Sequence, residues 1–461
     1  MVLSEILKSS FTVLGAGRSG IAIAKLLKRR GAKVFLSESL PVDKLKYFDE
    51  RILRDEGIEY ETGGHSEKVL ENDVIIKSPG IPMDSVVIED AFEKGKKVFG
   101  EIEAASWFCE CPIIAVTGTN GKTTTTVLTG EIFKQAGYDT KVCGNVGLAF
   151  AEVIDDLSED SIVVLEVSSY QLFSTETFRP KVAMFLNLTP DHISWHKSIE
   201  NYLEAKLKIN RNQKDNDMFI YNYDDEIIKK KLKQFNGIQA AFTIHNKSGL
   251  ENVKIGSYLE QNNIYYFDKT NDYHVSIMNA NDIQIKGMHN VCNSLASIIA
   301  AKSFCIRNEV IERTLINFKG VEHRNEFVKQ VNGIDFYNDS KATNIDSMSV
   351  ALKSFNKKVT LIMGGEKSDN DLEHIKDLIF RNVKNIIAIG ESKQQIERSF
   401  SSVVSVELAK SLEDAVETAF NKGKAGDIVL FSPAYKSFDM FDNFEHRGNE
   451  FIRIVNQLII N

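Results

Sequence analysis

The chain has 461 residues, with 56 Lys and Arg against 64 Asp and Glu and a formal net charge of −8. This acidic balance excludes a dedicated nucleic-acid binder, whose domain carries a basic face, and 43% hydrophobic with 26% charged residues is ordinary globular composition. At about 150 residues per domain the length predicts three domains, and 7 prolines exclude a proline-rich or low-complexity chain.

The opening Met-Val-Leu-Ser-Glu-Ile has no charged segment leading into an apolar one, so no leader is expected. No stretch reaches the roughly 18 apolar residues of a membrane span, and no membrane partner is expected. Cys109, Cys111, Cys143, Cys292 and Cys305 are sparse, odd in number and without CxxC spacing. A reduced, cytoplasmic setting follows.

Residues 11–14 and 33–36 read as buried strands around a helix at 21–30. A further strand at 74–77 ends at Ser78-Pro79-Gly80, and a helical patch at 87–94 leads to a strand at 97–99. This rhythm predicts a parallel α/β unit closing near Gly100. Its first strand feeds Gly15-Ala16-Gly17-Arg18-Ser19-Gly20, a GxGxxG opening a helix, where glycines let backbone N–H groups approach a diphosphate. Glu38, ending the next strand, stands where an acid meets a ribose or base. A dinucleotide, another nucleotide diphosphate and a purely structural turn all fit that pattern.

A second unit restarts with a strand at 113–116, the loop Thr117-Gly118-Thr119-Asn120-Gly121-Lys122-Thr123-Thr124 and a helix at 123–136. Strand, GxxGKT and helix form a P-loop context. Its amides would cradle ATP phosphates, Lys122 would reach the terminal ones, and the Thr123 hydroxyl would meet Mg2+. The first glycine of the longer motif is replaced by Val116. Apolar strands at 162–167 and 182–188 carry Glu166 and, just beyond, His192. Both are candidate metal ligands beside the P-loop. Lys206 and Lys208 lie on a helix at 201–210, where a solvated lysine is the ordinary expectation. The polar stretch 215–282 reads as strands and loops, and 286–304 as a helix. A boundary is placed near Gly320.

The last third has strands at 334–337, 359–363, 386–389 and 428–431, with small or polar residues past their ends, and a closing helix at 447–460. Parallel sheets bind ligands at that edge. His323-Arg324-Asn325-Glu326, Asn338-Asp339-Ser340-Lys341-Ala342-Thr343-Asn344 and 432–439 concentrate charge and hydroxyls there, fitting a small polar ligand.

Taken in series, Thr-Gly-Thr-Asn-Gly-Lys-Thr, Glu-Val-Ser-Ser, Asn-Leu-Thr-Pro-Asp-His, His-Arg and Asn-Asp-Ser-Lys-Ala-Thr-Asn resemble the Mur ligases. The segment 437–451, Ser-Phe-Asp-Met-Phe-Asp-Asn-Phe-Glu-His-Arg-Gly-Asn-Glu-Phe, extends that resemblance over nearly the whole chain. It implies three α/β domains: a Rossmann-like, UDP-sugar-binding unit over 1–100, a central P-loop ATPase-type domain over 101–320, and a Rossmann-like, amino-acid-binding domain over 321–461. The implied activity is ATP-dependent amide ligation in peptidoglycan precursor synthesis, with D-glutamate added to UDP-N-acetylmuramoyl-L-alanine through an acyl phosphate. A monomer is expected.

The resemblance also assigns roles. Gly118, Thr119, Asn120, Gly121, Lys122, Thr123, Thr124, Asn293, Arg324 and Asp339 would bind ATP. Thr123, Glu166, His192 and Lys206, the last as a carbamate, would hold two Mg2+ ions, and Lys122, His192 and Lys206 would be the catalytic set. Gly15, Gly17, Arg18, Ser19, Gly20, Glu38, Ser39, Ser78, Gly80 and Asn145 would bind the UDP-sugar. Leu40 stands where some relatives carry a basic residue near uridine. Thr343, Lys367, Ser437, Phe438 and Phe444 would form the D-glutamate pocket, a cation and hydroxyls facing two carboxylates. The alternatives are a sibling or folylpolyglutamate-type ligase with another amino acid, and an NAD-dependent oxidoreductase suggested by GxGxxG.

Overall fold

The structure is a computed structural model that describes residues 6, 8–45, 47–231, 235–355, 357–367 and 372–458, with only the backbone of 194 and 346. Three sheets carry the described residues. In the first, β1 (Ser10–Leu14), β2 (Lys33–Glu38), β3 (Glu59–Thr62), β4 (Val74–Lys77) and β5 (Lys97–Gly100) run parallel in the order β3-β2-β1-β4-β5. Helix α1 (Arg18–Arg29) follows the glycine loop and buries Ala22, Ile23, Leu26 and Leu27. Lys28 and Arg29 occupy its last turn, where cations complement the exposed carbonyls.

The central sheet has nine strands. β6 (Ile113–Thr117), β7 (Thr140–Gly144), β8 (Ile162–Glu166), β9 (Val182–Phe185), β10 (Met218–Asn222), β11 (Ile238–Thr243) and β12 (Ile255–Glu260) are parallel neighbours. β13 (Asn263–Asp268) and β14 (Tyr273–Asn279) extend it antiparallel. Strands β6, β8 and β9 are buried along their whole length, as parallel strands covered on both faces must be.

Six strands form the third sheet, in the order β15-β16-β20-β17-β18-β19: β15 (Glu326–Val331), β16 (Ile334–Asn338), β17 (Val359–Gly364), β18 (Val383–Ile389), β19 (Ser405–Leu408) and β20 (Ile428–Phe431). All but the β15–β16 pair are parallel.

The predicted strands and helices recur within a few residues. Sequence reading missed β3, β7, β15 and β19, which lie at sheet margins and carry polar residues rather than running continuously apolar. The closing helix is Phe444–Gln457; residues 459 and 460 of the expected span lie outside the described ones.

The chain forms two compact units, one of residues 1–286 with 290–318 and the other of 287–289 with 319–461. The first therefore contains two sheets. One hydrophobic cluster unites them, running from Phe11 and Leu26 through Ile102 to Phe150 and Phe185. Helix α2 (Glu101–Ser106) is the bridge. Its Glu103 is fully buried and accepts from the backbone N–H groups of Glu176, Thr177 and Phe178 and from Trp107 Nε1. No helix among the described residues is long and apolar enough to cross a membrane.

Candidate active site

β6 delivers the chain into the P-loop, and α3 (Lys122–Gln135) leaves it. Gly121 caps α3 at φ 81°, a left-handed conformation, and a Cβ there would lie 2.4 Å from Asn293 Oδ1. Asn293 belongs to α7 (Met288–Ser303), which thereby closes one side of the loop. On the other side Asn187 clamps it. Its Oδ1 accepts from Asn120 N–H at 2.8 Å, and its Nδ2 donates to the Asn120 carbonyl at 3.1 Å. Thr119 Oγ1 donates to the Thr189 carbonyl at 3.1 Å and contacts the Tyr202 hydroxyl at 3.2 Å. Lys122 Nζ folds back onto the carbonyls of Gly118 and Thr119, at 3.0 and 2.7 Å. Thr123 is buried and Thr124 half-buried. The loop is thus held by neighbours, with its lysine over it.

Beside the loop, β8 ends at Glu166, which is 2% exposed. Its Oε1 accepts from Asn145 Nδ2 at 2.8 Å, while the buried Oε2 has no hydrogen-bond partner among the described residues. A buried carboxylate oxygen without a donor costs about 1–3 kcal/mol or more. A hard divalent cation would satisfy it.

Helix α6 (Ile199–Leu207) brings Lys206 to the same place. This lysine is 1% exposed, and its Nζ donates to the Gly118 carbonyl at 2.7 Å above the Tyr202 ring. Burial, with the Lys122 charge, pushes the amine well below the usual lysine range, against the pull of Asp191 and Glu166. Lys208 points elsewhere, donating to the Phe173 carbonyl over that residue's ring.

His192 is exposed, lies at φ 53° and pairs with Asp191 at 3.4 Å. It opens α5 (Ile193–His196), in which His196 is buried, with Nε2 2.9 Å from Ser169 Oγ. Burial, then the charges of Lys206 and His192, push His196 down to about 4. Among the described residues no group of three or more His, Cys, Asp or Glu could hold a metal ion by itself.

The amino-terminal glycine loop is also close-packed. Gly15 has φ 95°, and a Cβ on Gly20 would lie 1.9 Å from the Gly15 carbonyl oxygen. A Cβ on Gly17 would meet nothing within 4 Å. Gly20→Ala should therefore lower stability by about 2–3 kcal/mol. Gly17→Ala, at the N-cap of α1 with open space around its Cβ, should cost less than Gly20→Ala, about 1 kcal/mol, and should weaken at least about tenfold any diphosphate ligand the loop takes, as the sequence reading expects. Thermal melts and a binding titration check the pair.

Glu38 serves the loop itself. Its Oε2 accepts from Ala16 N–H at 2.7 Å, and Oε1 accepts from Leu40 N–H and Ser39 Oγ. Burial opposes its charge, but those donors together hold the carboxyl below its usual range. Ser78 touches the loop through Gly15, while Arg18, Ser39 and Gly80 are exposed. Asn145, expected at the sugar, donates to Glu166.

In the second unit Asp339 is buried, accepting from Ser432 Oγ at 2.6 Å and from Asn325 N–H at 3.1 Å. Burial pushes it up to about 7, against the Ser432 hydrogen bond and the Arg324 charge. A carboxyl raised in the folded state binds its proton more tightly than the unfolded chain does, so stability falls as pH rises from about 4 to 7. Asp339→Asn should gain about 4 kcal/mol relative to the parent over that interval and no more above it. Urea denaturation at stepped pH checks this.

Phe444 opens α8 (Phe444–Gln457) and stands edge-on to His323, with Lys341 Nζ 5.9 Å from its ring. Ser437 is buried, Phe438 is exposed, and Thr343 is half-buried. Lys367 is exposed, with its N–H on Glu391. Arg447, which sequence reading gave no role, is fully buried and donates to the carbonyls of Tyr435 and Ser340 at 3.0 and 2.8 Å. It ties the 432–438 segment to the 338–344 one. Asn187 and Tyr202 were also missed as loop clamps; Asn187, a polar residue just past an apolar strand, was the available signal.

Three family models match the chain: the MurD N-terminal domain over residues 10–87, the Mur ligase middle domain over 116–301, and the glutamate ligase domain of Mur ligases over 323–435. A protein of Salinibacter ruber named UDP-N-acetylmuramoylalanine–D-glutamate ligase is 39% identical over 468 residues, covering 100% of both chains. One of the same name from Koribacter versatilis is 40% identical over 97% of each. Among solved structures, the MurF ligase of Thermotoga maritima in complex with ADP superposes with a TM-score of 0.57 at 17% identity, over 98% of this chain and 99% of that one.

Proposed function

We propose that this chain, which belongs to the Mur ligase family, joins D-glutamate to UDP-N-acetylmuramoyl-L-alanine at the expense of ATP, in peptidoglycan precursor synthesis. The observation that carries the reading is the P-loop at which a fully buried lysine, Lys206, and an unpartnered carboxylate oxygen, on Glu166, converge. The substrate assignment is supported by full-length relatives that bear the ligase name.

A free carboxylate is a poor electrophile, because its charge repels an amine and oxide is a hopeless leaving group. The alanyl carboxylate oxygen would attack the γ-phosphorus, releasing ADP and giving an acyl phosphate. The D-glutamate amine would then add to the carbonyl carbon, and phosphate would leave as the amide forms. The protein's part is positioning and charge neutralisation. The amides of residues 118–124 and the Lys122 ammonium would hold the phosphates, with Asn293 beside the loop; Arg324 and Asp339 are further proposed nucleotide contacts.

Two Mg2+ ions suit Thr123, Glu166, His192 and Lys206, and when bound they would offset charge on the transferring phosphoryl group. Lys206 fits a carbamate: burial disfavours its ammonium, and addition of CO2 with loss of a proton would leave a carboxylate-like ligand where an ammonium could not serve. The UDP-sugar would occupy the first domain, 1–100, over Gly15, Gly17, Arg18, Ser19 and Gly20, with Ser39, Ser78, Gly80 and Asn145 around it. Glu38 would shape that loop. ATP belongs to 101–320. In 321–461, Thr343, Lys367, Ser437, Phe438 and Phe444 would receive D-glutamate. We further assign the protein to the cytoplasm, as a monomer.

The test supplies ATP, Mg2+ and UDP-N-acetylmuramoyl-L-alanine with L-alanine, D-glutamate, meso-diaminopimelate or D-alanyl-D-alanine in turn. Phosphate release and new amide with D-glutamate alone is the expected result. Equal turnover with another member of the panel would reassign the substrate.

A further inference from the structure

Where the first two sheets join, two groups of buried polar residues lie at adjoining strand ends, one around Lys77 and one around Glu101. The first centres on Lys77, the last residue of β4, which is 1% exposed. Its Nζ donates to the Ile81 carbonyl at 2.9 Å and, more weakly, to that of Ser78 at 3.4 Å, which pins the turn over 78–81. β5 pairs with β4 so that Lys77 lies opposite Gly100, and the next residue is Glu101. Glu101 is 3% exposed. Its Oε1 accepts from Gln171 Nε2 at 2.9 Å, and its Oε2 has no hydrogen-bond partner among the described residues.

Gln171 lies in α4 (Ser169–Phe173) and is itself buried. Its Oε1 accepts from the N–H and the hydroxyl of Ser168, at 2.9 and 3.0 Å, while Ser168 Oγ accepts from Gln171 N–H. This reciprocal cap fixes the turn directly after Glu166. Ser169, next in line, meets His196.

Glu101 is a poor choice for stability alone. A buried carboxylate with one oxygen unpartnered is costly, and the Lys77 charge offsets that burial only in part. Glutamine would keep the Gln171 hydrogen bond without a buried charge. We propose that Glu101 is a positioning residue for the ligation reaction, holding the 78–81 turn of the sugar-nucleotide site and the 166–169 segment of the ATP site in one geometry. On one side the β4–β5 pairing that sets Lys77 opposite Gly100 carries the constraint, and on the other the Gln171 hydrogen bond does. The inference rests on the function proposed above, because only a reaction that uses both loops at once needs them registered.

The test is steady-state ligation by the full-length protein, with melting temperatures measured alongside. Glu101→Gln should raise KM for UDP-N-acetylmuramoyl-L-alanine at least tenfold and lower kcat at least fivefold, at an unchanged or higher melting temperature. Lys77→Met should raise that KM by a similar factor. The Lys77→Met, Glu101→Gln double variant should be no worse than Glu101→Gln alone, since both act at the same β4–β5 strand-end junction. Gln171→Met approaches the link from its other end without touching a charge, and should lower kcat at least fivefold. Kinetic constants within twofold of the parent for Glu101→Gln and Gln171→Met, multiplicative losses in the double variant, or losses that follow the melting temperature would overturn the proposal. A parent protein without D-glutamate-dependent turnover would instead overturn the function on which it rests.

Discussion

Lys122→Ala is expected to reduce D-glutamate-dependent ligation by on the order of 10³-fold, the scale for removing a charge that acts mainly in the transition state. Nζ now rests on two carbonyls of its own loop, Gly118 and Thr119. Those contacts are weak competitors for a triphosphate, so the lysine is poised to exchange them for phosphate oxygens. The fold should tolerate the loss. Alanine is the best helix former, the Lys122 carbonyl still accepts from Thr126 Oγ1, and the side chain is half-buried. Matching melting curves with kcat lowered by this factor is the predicted outcome. Activity within fivefold of the parent would remove Lys122 from the phosphate site.

Lys206→Ala should be nearly as damaging, for a different reason. Its amine is buried beside the Gly118 carbonyl and above the Tyr202 ring, where a permanent ammonium is unfavourable and a carbamate would present two oxygens to the metals. The variant should lose at least about 10²-fold in kcat, within the range for removing a metal-orienting group. Formate or acetate should restore part of it by placing a free carboxylate in the vacated space. Rescue is the decisive sign, because a packing defect would not respond to a small acid. Lys208→Ala is the control: its side chain lies on Phe173, and kcat should change less than threefold. No rescue of Lys206→Ala, or an equal loss at Lys208, would contradict the carbamate.

Much of this architecture is legible in the sequence for a plain physical reason. Parallel strands covered on both faces are continuous apolar runs, and each feeds a glycine or an acid at its carboxyl end: Val116 before the P-loop, Leu165 before Glu166, Met363 before Gly364. The motifs then fix chemistry at those ends. Polar clamps are harder to read. Asn187 and Tyr202 act through contacts with the P-loop across about 70 and 83 positions of sequence, which no local pattern encodes. The same holds for Glu103 and Arg447, whose burial depends on tertiary partners. Lys206 shows the limit from the other side. Helical spacing alone makes it a solvated lysine, and only resemblance singled it out from Lys208. The structure supplies the physical distinction, since one nitrogen enters the P-loop while the other rests on Phe173. Glu38, a strand-end acid opposite GxGxxG, reads as a ribose ligand, and its carboxylate also accepts the loop's own Ala16 N–H, a contact no local pattern encodes.

The central claim is ligation through an acyl phosphate with D-glutamate as the acceptor, and oxygen tracing reaches it most directly. UDP-N-acetylmuramoyl-L-alanine labelled with 18O in the alanyl carboxylate is turned over with ATP, Mg2+ and D-glutamate, and the phosphate is analysed by mass. One labelled oxygen in each phosphate, formed in step with the new amide and absent when D-glutamate is withheld, is the predicted result. Unlabelled phosphate, or amide formation without ATP cleavage, would contradict the account.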